Sequence, residues 1–401
     1  MLCAAENCTG CMACISACPY HAIKETIDNE GFTRPEIIDS LCRKCQICSK
    51  VCPQLTTVKR KPEYQDVYAC WSKDTNIRRN SSSGGFFSEI SKAIINEKGI
   101  IFGAAIENTN VIHLSIEKEN ELYKLQGSKY VQSKVTYIYN QVKEYLENGR
   151  KVLFSGTPCQ IAGLYNFLSK EYDNLTTIDM VCHGVPSPKV YNSYIKYLEN
   201  KTKSKVKGIL FRDKDKSWTY FNIKVLFENG NVYKGGYFSD PYIIGFLKDI
   251  FLRPSCHHCT YANTNRISDI TIADFWGYIP RKKEEQNDDK GISLIIINTK
   301  RGKAYLDKCS TSLSLYKRSI DEAISGNKCL SQSYPKPDNR NQFWKDYNSM
   351  NFDQIVEKYF YYDKKILFSQ KIRSKYRHDA ANSILFPFKV YCKLKNIVKG
   401  K

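Results

Sequence analysis

Short apolar segments alternate with segments of helical spacing along most of the chain after about residue 64. Four apolar segments predict buried strands: VYACW (67–71), KVLFSG (151–156), TTIDMVC (176–182) and SDITIADF (268–275). Segments such as FFSEISKAIINEKG, with helical spacing, lie between them. Asn229-Gly230 separates two further strand-like segments and predicts a hairpin turn, so we expect part of the sheet to be antiparallel. The pattern indicates a mixed α/β domain.

The first sixty residues carry a repeated spacing of cysteines instead. The first run is Cys8, Cys11, Cys14, Cys18 and Pro19, and the second is Cys42, Cys45, Cys48, Cys52 and Pro53. In bacterial two-cluster ferredoxins, the fourth cysteine of each run binds the other 4Fe-4S cluster. The spacing therefore predicts one cluster on Cys8, Cys11, Cys14 and Cys52, and a second on Cys42, Cys45, Cys48 and Cys18. Zinc is the alternative, because paired Cys-x2-Cys motifs also build tetrahedral sites.

These patterns predict an α+β protein with three parts. A dicluster ferredoxin domain covers residues 1–60 and ends at the charged linker Lys59-Arg60-Lys61-Pro62-Glu63. A mixed α/β domain covers residues 64–310, and a basic, mainly helical extension covers residues 311–401.

The composition fits a cytoplasmic protein with metal or redox chemistry. The chain has 401 residues, 17 of them cysteine, and a net charge of +20. It has neither an apolar run of membrane-spanning length nor an amino-terminal secretion signal. In the cytoplasm, many cysteines indicate metal or redox sites rather than structural disulfides. The remaining cysteines outside the proposed sites are Cys3, Cys70, Cys309, Cys329 and Cys392, and Cys3 is expected to be incidental.

Four cysteines in the α/β domain lie next to predicted strand ends or turns. Cys159 follows Pro158 at the expected start of a helix, Cys182 ends a strand, and Cys256 and Cys259 follow Pro254. Strand ends at one edge of a sheet commonly build sites in α/β folds, so these four residues form a candidate third 4Fe-4S site. They also fit buried small side chains, or a zinc site in which His257 or His258 joins Cys256 and Cys259.

Two segments are candidate cofactor-binding loops. Ser81-Ser82-Ser83-Gly84-Gly85 precedes a predicted helix, where free backbone N–H groups favour phosphate, although a helix cap without a ligand is the commoner use of such a sequence. Gly127-Ser128-Lys129-Tyr130-Val131-Gln132 offers a cation and an aromatic ring. The glycine-rich motifs of common dinucleotide-binding and P-loop folds are absent from the sequence.

Six ordered motifs resemble the coenzyme F420 hydrogenase/dehydrogenase beta-subunit family, which includes the deazaflavin-reducing hydrogenase beta subunit. They are SSSGGFFSEI, QGSKYVQS, VLFSGTPCQIAGL, VCHGVPSPKVY, RPSCHHC and SDITIADFWG, and the similarity runs from about residue 67 to about residue 306. An amino-terminal dicluster ferredoxin is also a usual fusion partner in that family.

The resemblance implies an FAD-binding domain with a 4Fe-4S cluster. Its cluster ligands would be Cys159, Cys182, Cys256 and Cys259. Residues near FAD would be Ser83, Gly84, Gly85, Lys129 and Tyr130, with Ser82 and Thr157 as weaker candidates. Asp274 and Trp276 would line the site. Neither the resemblance nor the spacing assigns a catalytic acid or base.

The carboxyl-terminal end is strongly basic. Residues 361–401 hold 11 basic side chains, opposed only by Asp363 and Asp379. Phe386, Val390, Leu394, Ile397 and Val398 share one helical face, which predicts either attachment to an anionic membrane surface or a helix packed on the body.

The leading interpretation is an iron–sulfur flavoprotein oxidoreductase. Single electrons from reduced ferredoxin or a catalytic partner subunit would pass through 4Fe-4S clusters to FAD, for two-electron reduction or oxidation of an organic acceptor. The alternatives are an electron-transfer subunit that has no substrate of its own, and a cysteine-rich redox-sensing module that does not bind flavin. Nucleic acid is an unlikely partner because the basic excess is confined largely to the end of the chain.

Overall fold

The computed structural model describes residues 2–282, 284–285 and 287–361. The predicted basic helix after residue 380 lies outside these residues. Within the described part of the chain, no helix is both long and apolar enough to cross a membrane.

The amino-terminal module is built on a structural repeat that matches the repeated cysteine spacing. It contains helices α1 (Ala13–Ser16) and α2 (Ile47–Lys50), with the antiparallel hairpin β1 (Ile23–Ile27) and β2 (Thr33–Ile37) between them. Each helix follows a left-handed residue, Met12 with φ of 59° or Gln46 with φ of 61°. The equal spacing therefore gives two nearly equal backbone turns around the cysteines.

The rest of the described chain forms the body. Its strands are β3 (Asp66–Ser72), β4 (Ile100–Glu107), β5 (Asn110–Ile116), β6 (Val152–Gly156), β7 (Leu175–Met180), β8 (Val206–Asp213), β9 (Asn222–Phe227), β10 (Val232–Gly236), β11 (Ile270–Asp274), β12 (Ser293–Ile297) and β13 (Leu313–Arg318). Its α-helices are α3 (Thr75–Asn80), α4 (Phe86–Asn96), α5 (Ile138–Glu147), α6 (Pro158–Leu168), α7 (Pro188–Thr202), α8 (Pro241–Leu247), α9 (Lys300–Cys309), α10 (Ile320–Gly326), α11 (Arg340–Ser349) and α12 (Phe352–Tyr359).

A mixed eight-stranded sheet organises the body, in the order β13-β3-β12-β11-β7-β6-β4-β5. Strands β4, β6, β7 and β11 run parallel to one another, whereas β12, β13 and β5 run antiparallel to their neighbours. The four apolar segments predicted as strands correspond to β3, β6, β7 and β11. The carboxyl ends of these four strands lie at one edge of the sheet, because β3 and β11 both pair antiparallel with β12.

Helices cover both faces of this sheet. On one face Phe102 and Phe154 pack with α5 and α6, and on the other Ile101 and Leu153 pack with α4 and α9. Alternating side chains of β4 and β6 are therefore buried on opposite faces of the sheet. Because both faces are buried, the sequences of these strands are apolar at consecutive positions.

The predicted hairpin at Asn229-Gly230 joins β9 to β10, but it lies in a separate three-stranded sheet, β10-β9-β8. This small sheet shares a core with α7, α8, α11 and α12. The antiparallel pairs of the large sheet involve other strands, which the hairpin signal did not indicate.

The large sheet continues past residue 310, where the sequence places the boundary of the main domain. Strand β13 pairs antiparallel with β3, from Leu313 opposite Ser72 to Arg318 opposite Val67. The charged segment after the amino-terminal module is likewise bound to the body, because Arg60 forms an ion pair of 2.6 Å with the buried Asp269 and lies over the ring of Tyr165.

The amino-terminal module packs closely on helix α6. A Cβ atom on Gly163 of α6 would lie 2.9 Å from the sulfur of Cys11 and 3.0 Å from its Cβ. The buried Cys11 and Ala13 share a core with Ile161 and Ala162 of the same helix. The body thus approaches the first cysteine run to a distance that only glycine allows.

We predict that Gly163→Ala destabilises the protein. Alanine in an exposed helix interior normally gains about 1 kcal/mol over glycine, whereas the contact with Cys11 should reverse the sign and cost about 1–3 kcal/mol. The measurement is the urea midpoint of unfolding under anaerobic conditions.

Gly208→Ala in β8 is the control, because an added Cβ there would meet only Leu226, at 3.9 Å. A Gly163→Ala protein as stable as this control would contradict the close packing of the module on α6.

Candidate functional site

The first cysteine cavity brings together residues from both sequence runs. Cys8, Cys11 and Cys14 line it with Cys52 of the second run, which is the crossed arrangement expected for a two-cluster ferredoxin. Cys3, which was expected to be an incidental thiol, lines the same cavity. An all-sulfur set of donors suits an iron–sulfur cluster.

The other predicted set lies at the outside of the module. Cys18 and Cys48 pack against one small apolar cluster that contains Met12, Ile15 and Ile23. Cys45 is exposed. The sulfur of Cys18 also accepts a hydrogen bond of 3.3 Å from the backbone N–H of Ala22. Cys8 and Cys11 therefore face the body, while Cys45 of the second run faces solvent.

A second cavity, in the body, is lined by all four cysteines that the family resemblance implies as ligands, Cys159, Cys182, Cys256 and Cys259. Cys159 lies in the first turn of α6, directly after β6, and Cys182 follows β7. Cys256 lies in the short 3-10 helix Pro254–His258. Adjacent parallel strands β6 and β7 thus bring two of the ligand candidates to the same edge of the sheet.

Burial and local hydrogen bonds set the chemistry of these thiols. Burial raises the pKa of Cys159 to about 11 and that of Cys256 to about 12, so both are protonated at neutral pH in the absence of a metal. The backbone N–H of Val185 donates to the Cys256 sulfur at 3.3 Å, and the hydroxyl of Thr157 lies 3.1 Å from the Cys159 sulfur. Thr157 caps α6 and is therefore placed beside this cavity.

Cys329 and His183 also line the second cavity. The His183 ring stacks on Tyr334 with centroids 4.2 Å apart, and its Nε2 lies 2.5 Å from Asp249 Oδ1. Among the residues that the structure describes, no group of three His, Cys, Asp or Glu side chains is placed to hold a single metal ion. His257 and His258 turn to other partners, the carbonyl of Tyr334 and the side chain of Asn7.

Thr9 lines both cavities and so marks where they approach each other. The carbonyl of Cys8 accepts hydrogen bonds from Arg253 Nε at 2.7 Å and from Ser255 Oγ at 3.2 Å. Ser255 itself lines the second cavity, next to Cys256. A short, hydrogen-bonded path therefore joins the two groups of cysteines.

Arg253 is the principal charged residue at this junction. Its side chain is fully buried, and its Nη2 donates to the carbonyl of Thr33 at 3.1 Å and lies 3.6 Å from the Cys8 sulfur. The pKa of Cys8 is lowered to about 5, because the Cys3 thiol donates a hydrogen bond to its sulfur and because the Arg253 charge favours the thiolate. The guanidinium thus stabilises negative charge on the sulfur that faces the body.

The serine–glycine loop (residues 81–85) lies at the same edge of the sheet. Gly84 is required by packing, since a Cβ there would lie 2.3 Å from the carbonyl oxygen of Cys70. Its N–H donates to Ser293 Oγ at 2.9 Å, and the Ser83 hydroxyl donates to the carbonyl of Ile292. Gly85, with φ of 99°, begins α4. Part of the motif therefore serves the fold, although no serine side chain caps α4, whose N-cap is Gly85.

The two predicted cofactor-binding loops meet. The backbone N–H of Ser128 donates to Ser82 Oγ at 2.7 Å, which places Lys129 and Tyr130 beside the serine–glycine loop. Lys129 Nζ donates to the carbonyls of Gln126 and Lys124. Burial lowers the pKa of Lys129 to about 7.

Two cations that sequence reasoning missed complete this region. Lys214 Nζ donates to the carbonyl of Ser83 at 2.5 Å, and burial lowers its pKa to about 7. Arg212 donates to the Tyr130 hydroxyl at 3.1 Å and forms an ion pair of 2.8 Å with Asp274. Lys129, Lys214 and Arg212, together with Ser82 and Ser83, are called the cationic pocket below.

Asp274 and Trp276, which the resemblance implies line the site, both contact Arg212. Asp274 accepts hydrogen bonds from Arg212 and from Trp218 Nε1 at 2.7 Å. The rings of Trp218 and Trp276 stack at 4.8 Å with an angle of 8° between their planes. Asp274 therefore orients Arg212, while the two indoles form an aromatic wall.

The functional residues that sequence reasoning missed differ in how much signal the sequence carries for them. Arg253 stands in the quoted motif RPSCHHC, and Lys214 stands two residues after Arg212 in the charged segment RDKDK, but neither spacing indicates a partner. Cys329 lies 70 residues beyond Cys259, so only the fold brings it to the cavity.

Two segments of the chain match known families. Residues 149–323 match the family described as the carboxyl terminus of the coenzyme F420 hydrogenase/dehydrogenase beta subunit, and residues 7–55 match the 4Fe-4S dicluster domain. Among solved structures, the chain is similar to one from the xenon-derivatised F420-reducing NiFe hydrogenase complex of Methanosarcina barkeri, with 18% identity, coverage of 75% of this chain and 94% of that chain, and a TM-score of 0.45. No curated protein matches the chain. The recognition made from sequence motifs is confirmed.

We predict that Arg253→Met destabilises the protein by about 2–4 kcal/mol, because the carbonyls of Cys8 and Thr33 lose buried charged donors. It should also lower the reduction potential of the cluster nearest Cys8, since a positive charge beside the cluster favours its reduced form. Chemical unfolding and a redox titration followed by electron paramagnetic resonance would measure the two effects.

Arg79→Met is the matched control. Arg79 is largely exposed and its ion pair with Asp215 is 3.3 Å long, so its loss should change stability by no more than about 0.5 kcal/mol. Equal effects of the two substitutions would contradict the role assigned to Arg253.

Proposed function

Because the chain joins a 4Fe-4S dicluster domain to the carboxyl-terminal domain of the coenzyme F420 hydrogenase/dehydrogenase beta subunit, we propose that it is an iron–sulfur flavoprotein oxidoreductase. It exchanges single electrons with a partner, either reduced ferredoxin or a catalytic subunit, and two electrons with an organic acceptor or donor. The observation that carries the proposal is the arrangement of two cysteine-lined cavities that share Thr9.

The cysteines would hold three clusters. Cys8, Cys11, Cys14 and Cys52 would bind the cluster next to the body, and Cys42, Cys45, Cys48 and Cys18 the outer one. Cys159, Cys182, Cys256 and Cys259 would bind the third. Cluster binding would deprotonate the buried thiols of this last set, whose pKa values burial raises.

The burial of the cysteines supports an order among these sites. The exposed Cys45 belongs to the outer set, whereas the buried Cys8 and Cys11 contact the body. Ser255 and Thr9 lie between the Cys8 set and the third set. Electrons from a partner would thus arrive at the outer set and leave the module beside Arg253.

The cationic pocket would hold FAD. Lys129, Lys214 and Arg212 present three cationic side chains near Ser82 and Ser83, which suits the two phosphates of a dinucleotide. The Trp218–Trp276 stack offers an aromatic surface for a flat ring. FAD, when bound, supplies the change between one-electron and two-electron chemistry that iron–sulfur clusters alone lack.

The cofactor content of the full chain tests the proposal. After anaerobic purification and reconstitution with iron and sulfide, we expect about twelve Fe and one FAD per chain. About eight Fe without flavin would overturn the proposal while leaving the dicluster domain intact.

We predict that Cys159→Ala removes about four Fe per chain and spares the two ferredoxin clusters, as chemical iron analysis and electron paramagnetic resonance would show. Cys329→Ala should keep the full iron content, because Cys329 lines the same cavity without belonging to the proposed ligands. Loss of iron in Cys329→Ala and not in Cys159→Ala would show that the ligand set is wrong.

We predict that Lys129→Met weakens FAD binding about tenfold or more, because it removes a buried cation from the pocket. In the unchanged protein, affinity for FAD should fall as the pH rises through about 7, where Lys129 and Lys214 lose their protons. The variant should show a shallower pH dependence in fluorescence titrations of the flavin.

Lys124→Met is the control, because Lys124 pairs with Glu121 on the partly exposed side of the neighbouring turn. An unchanged affinity and pH profile in Lys129→Met would remove Lys129 from the flavin site.

A further inference from the structure

The two cysteine runs share their spacing but differ in charge. Residues 7–20 contain no charged side chain, whereas residues 40–53 contain three cations, Arg43, Lys44 and Lys50, and no carboxylate. All three cations are exposed. No described carboxylate lies within ion-pair distance of any of them. Their charge is therefore directed to solvent around the outer cysteines.

Exposed apolar side chains accompany these cations. Leu41, which precedes Cys42, is 46% exposed, and Tyr20, two residues after Cys18, is 48% exposed. Cys18 and Cys48 pack on the same apolar cluster, so Tyr20 and Leu41 both belong to the surface around the outer set. Leu41, Arg43, Lys44, Cys45, Lys50 and Tyr20 are called the outer face.

We propose that the outer face binds an acidic one-electron carrier protein. An apolar centre with a charged rim of one sign is the usual composition of an interface that forms quickly and dissociates quickly. The three exposed cations also attract an anionic partner through solvent before contact. The exposed Cys45 brings a predicted cluster ligand into this contact surface.

This inference rests on the proposed function. It adds where the electron-donating partner binds and that this partner is acidic. The transfer moves one electron from the reduced carrier, which becomes oxidised, to the chain, and no bond or proton is exchanged. The same surface would serve in the reverse direction.

Arg43→Glu/Lys44→Glu in the reconstituted full chain tests the proposal. The probe is an oxidised two-cluster ferredoxin of negative net charge, so that binding is measured without electron transfer. We expect the dissociation constant from isothermal titration calorimetry to rise about tenfold or more at low salt, and its dependence on salt to become shallower. The iron content and the absorption spectrum of the reconstituted chain should stay unchanged, which would show that the outer cluster is still assembled.

Lys203→Glu/Lys207→Glu is the matched control, with the same change of charge on exposed lysines after α7 and in β8. It should keep affinity within about twofold, apart from the general effect of net charge. Equal weakening in both double variants, or an affinity independent of salt, would overturn the outer face as the docking site.

Failure of the docking proposal is distinguishable from failure of the function. The binding titration needs the dicluster domain and requires no flavin, whereas the proposed function depends on the FAD and iron content. If the chain contains FAD and about twelve Fe but binds the carrier equally well after Arg43 and Lys44 are replaced, the proposed function stands and this docking site is wrong.

Discussion

The buried guanidinium of Arg253 is the interaction on which the arrangement of the two parts depends. It is fully buried, and it donates to the carbonyls of Cys8 and Thr33, on the cysteine run and on the hairpin of the amino-terminal module. A buried cation is stable only when hydrogen-bond acceptors or negative charge surround it. Moving the module away from the body would leave the guanidinium without these acceptors. The module is thereby held in one position on the body.

Other contacts between the two parts support that position. Arg340 of α11 pairs with Glu30 in the β1–β2 turn, and Lys189 of α7 donates to the carbonyl of Asn29. The absent side chain of Gly163 lets α6 reach Cys11. The position of the module on the body is therefore set by packing and buried hydrogen bonds rather than by a flexible linker.

The sequence predicted the parts that depend on local order and missed those that depend on distant partners. Pro158 predicted the first turn of α6 because it acts within a few residues. The repeated cysteine spacing predicted that Cys52 joins Cys8, Cys11 and Cys14, because that repeat is typical of two-cluster ferredoxins. Arg253 and Lys214 lie more than a hundred residues from their partners Cys8 and Ser83, so no local pattern could indicate these contacts. Strand β13 was missed for the same reason, since it pairs with β3 across most of the body.

The two cysteine runs have the same spacing but different surroundings. They therefore show which properties depend on spacing and which depend on environment. Within each run, just before the fourth cysteine, the backbone takes the same turn, with Ala17 at φ of −87° and Val51 at φ of −88°, because the spacing of the cysteines and the short helix are the same. Burial then makes the runs different, since Cys11 lies against α6 while Cys45 lies in solvent. Cluster potential depends on solvent exposure, net charge and hydrogen bonds to sulfur, so two equal motifs in unequal surroundings would have unequal potentials. In this fold the body covers Cys8 and Cys11 and leaves Cys45 exposed, so one repeated motif is placed in two different environments.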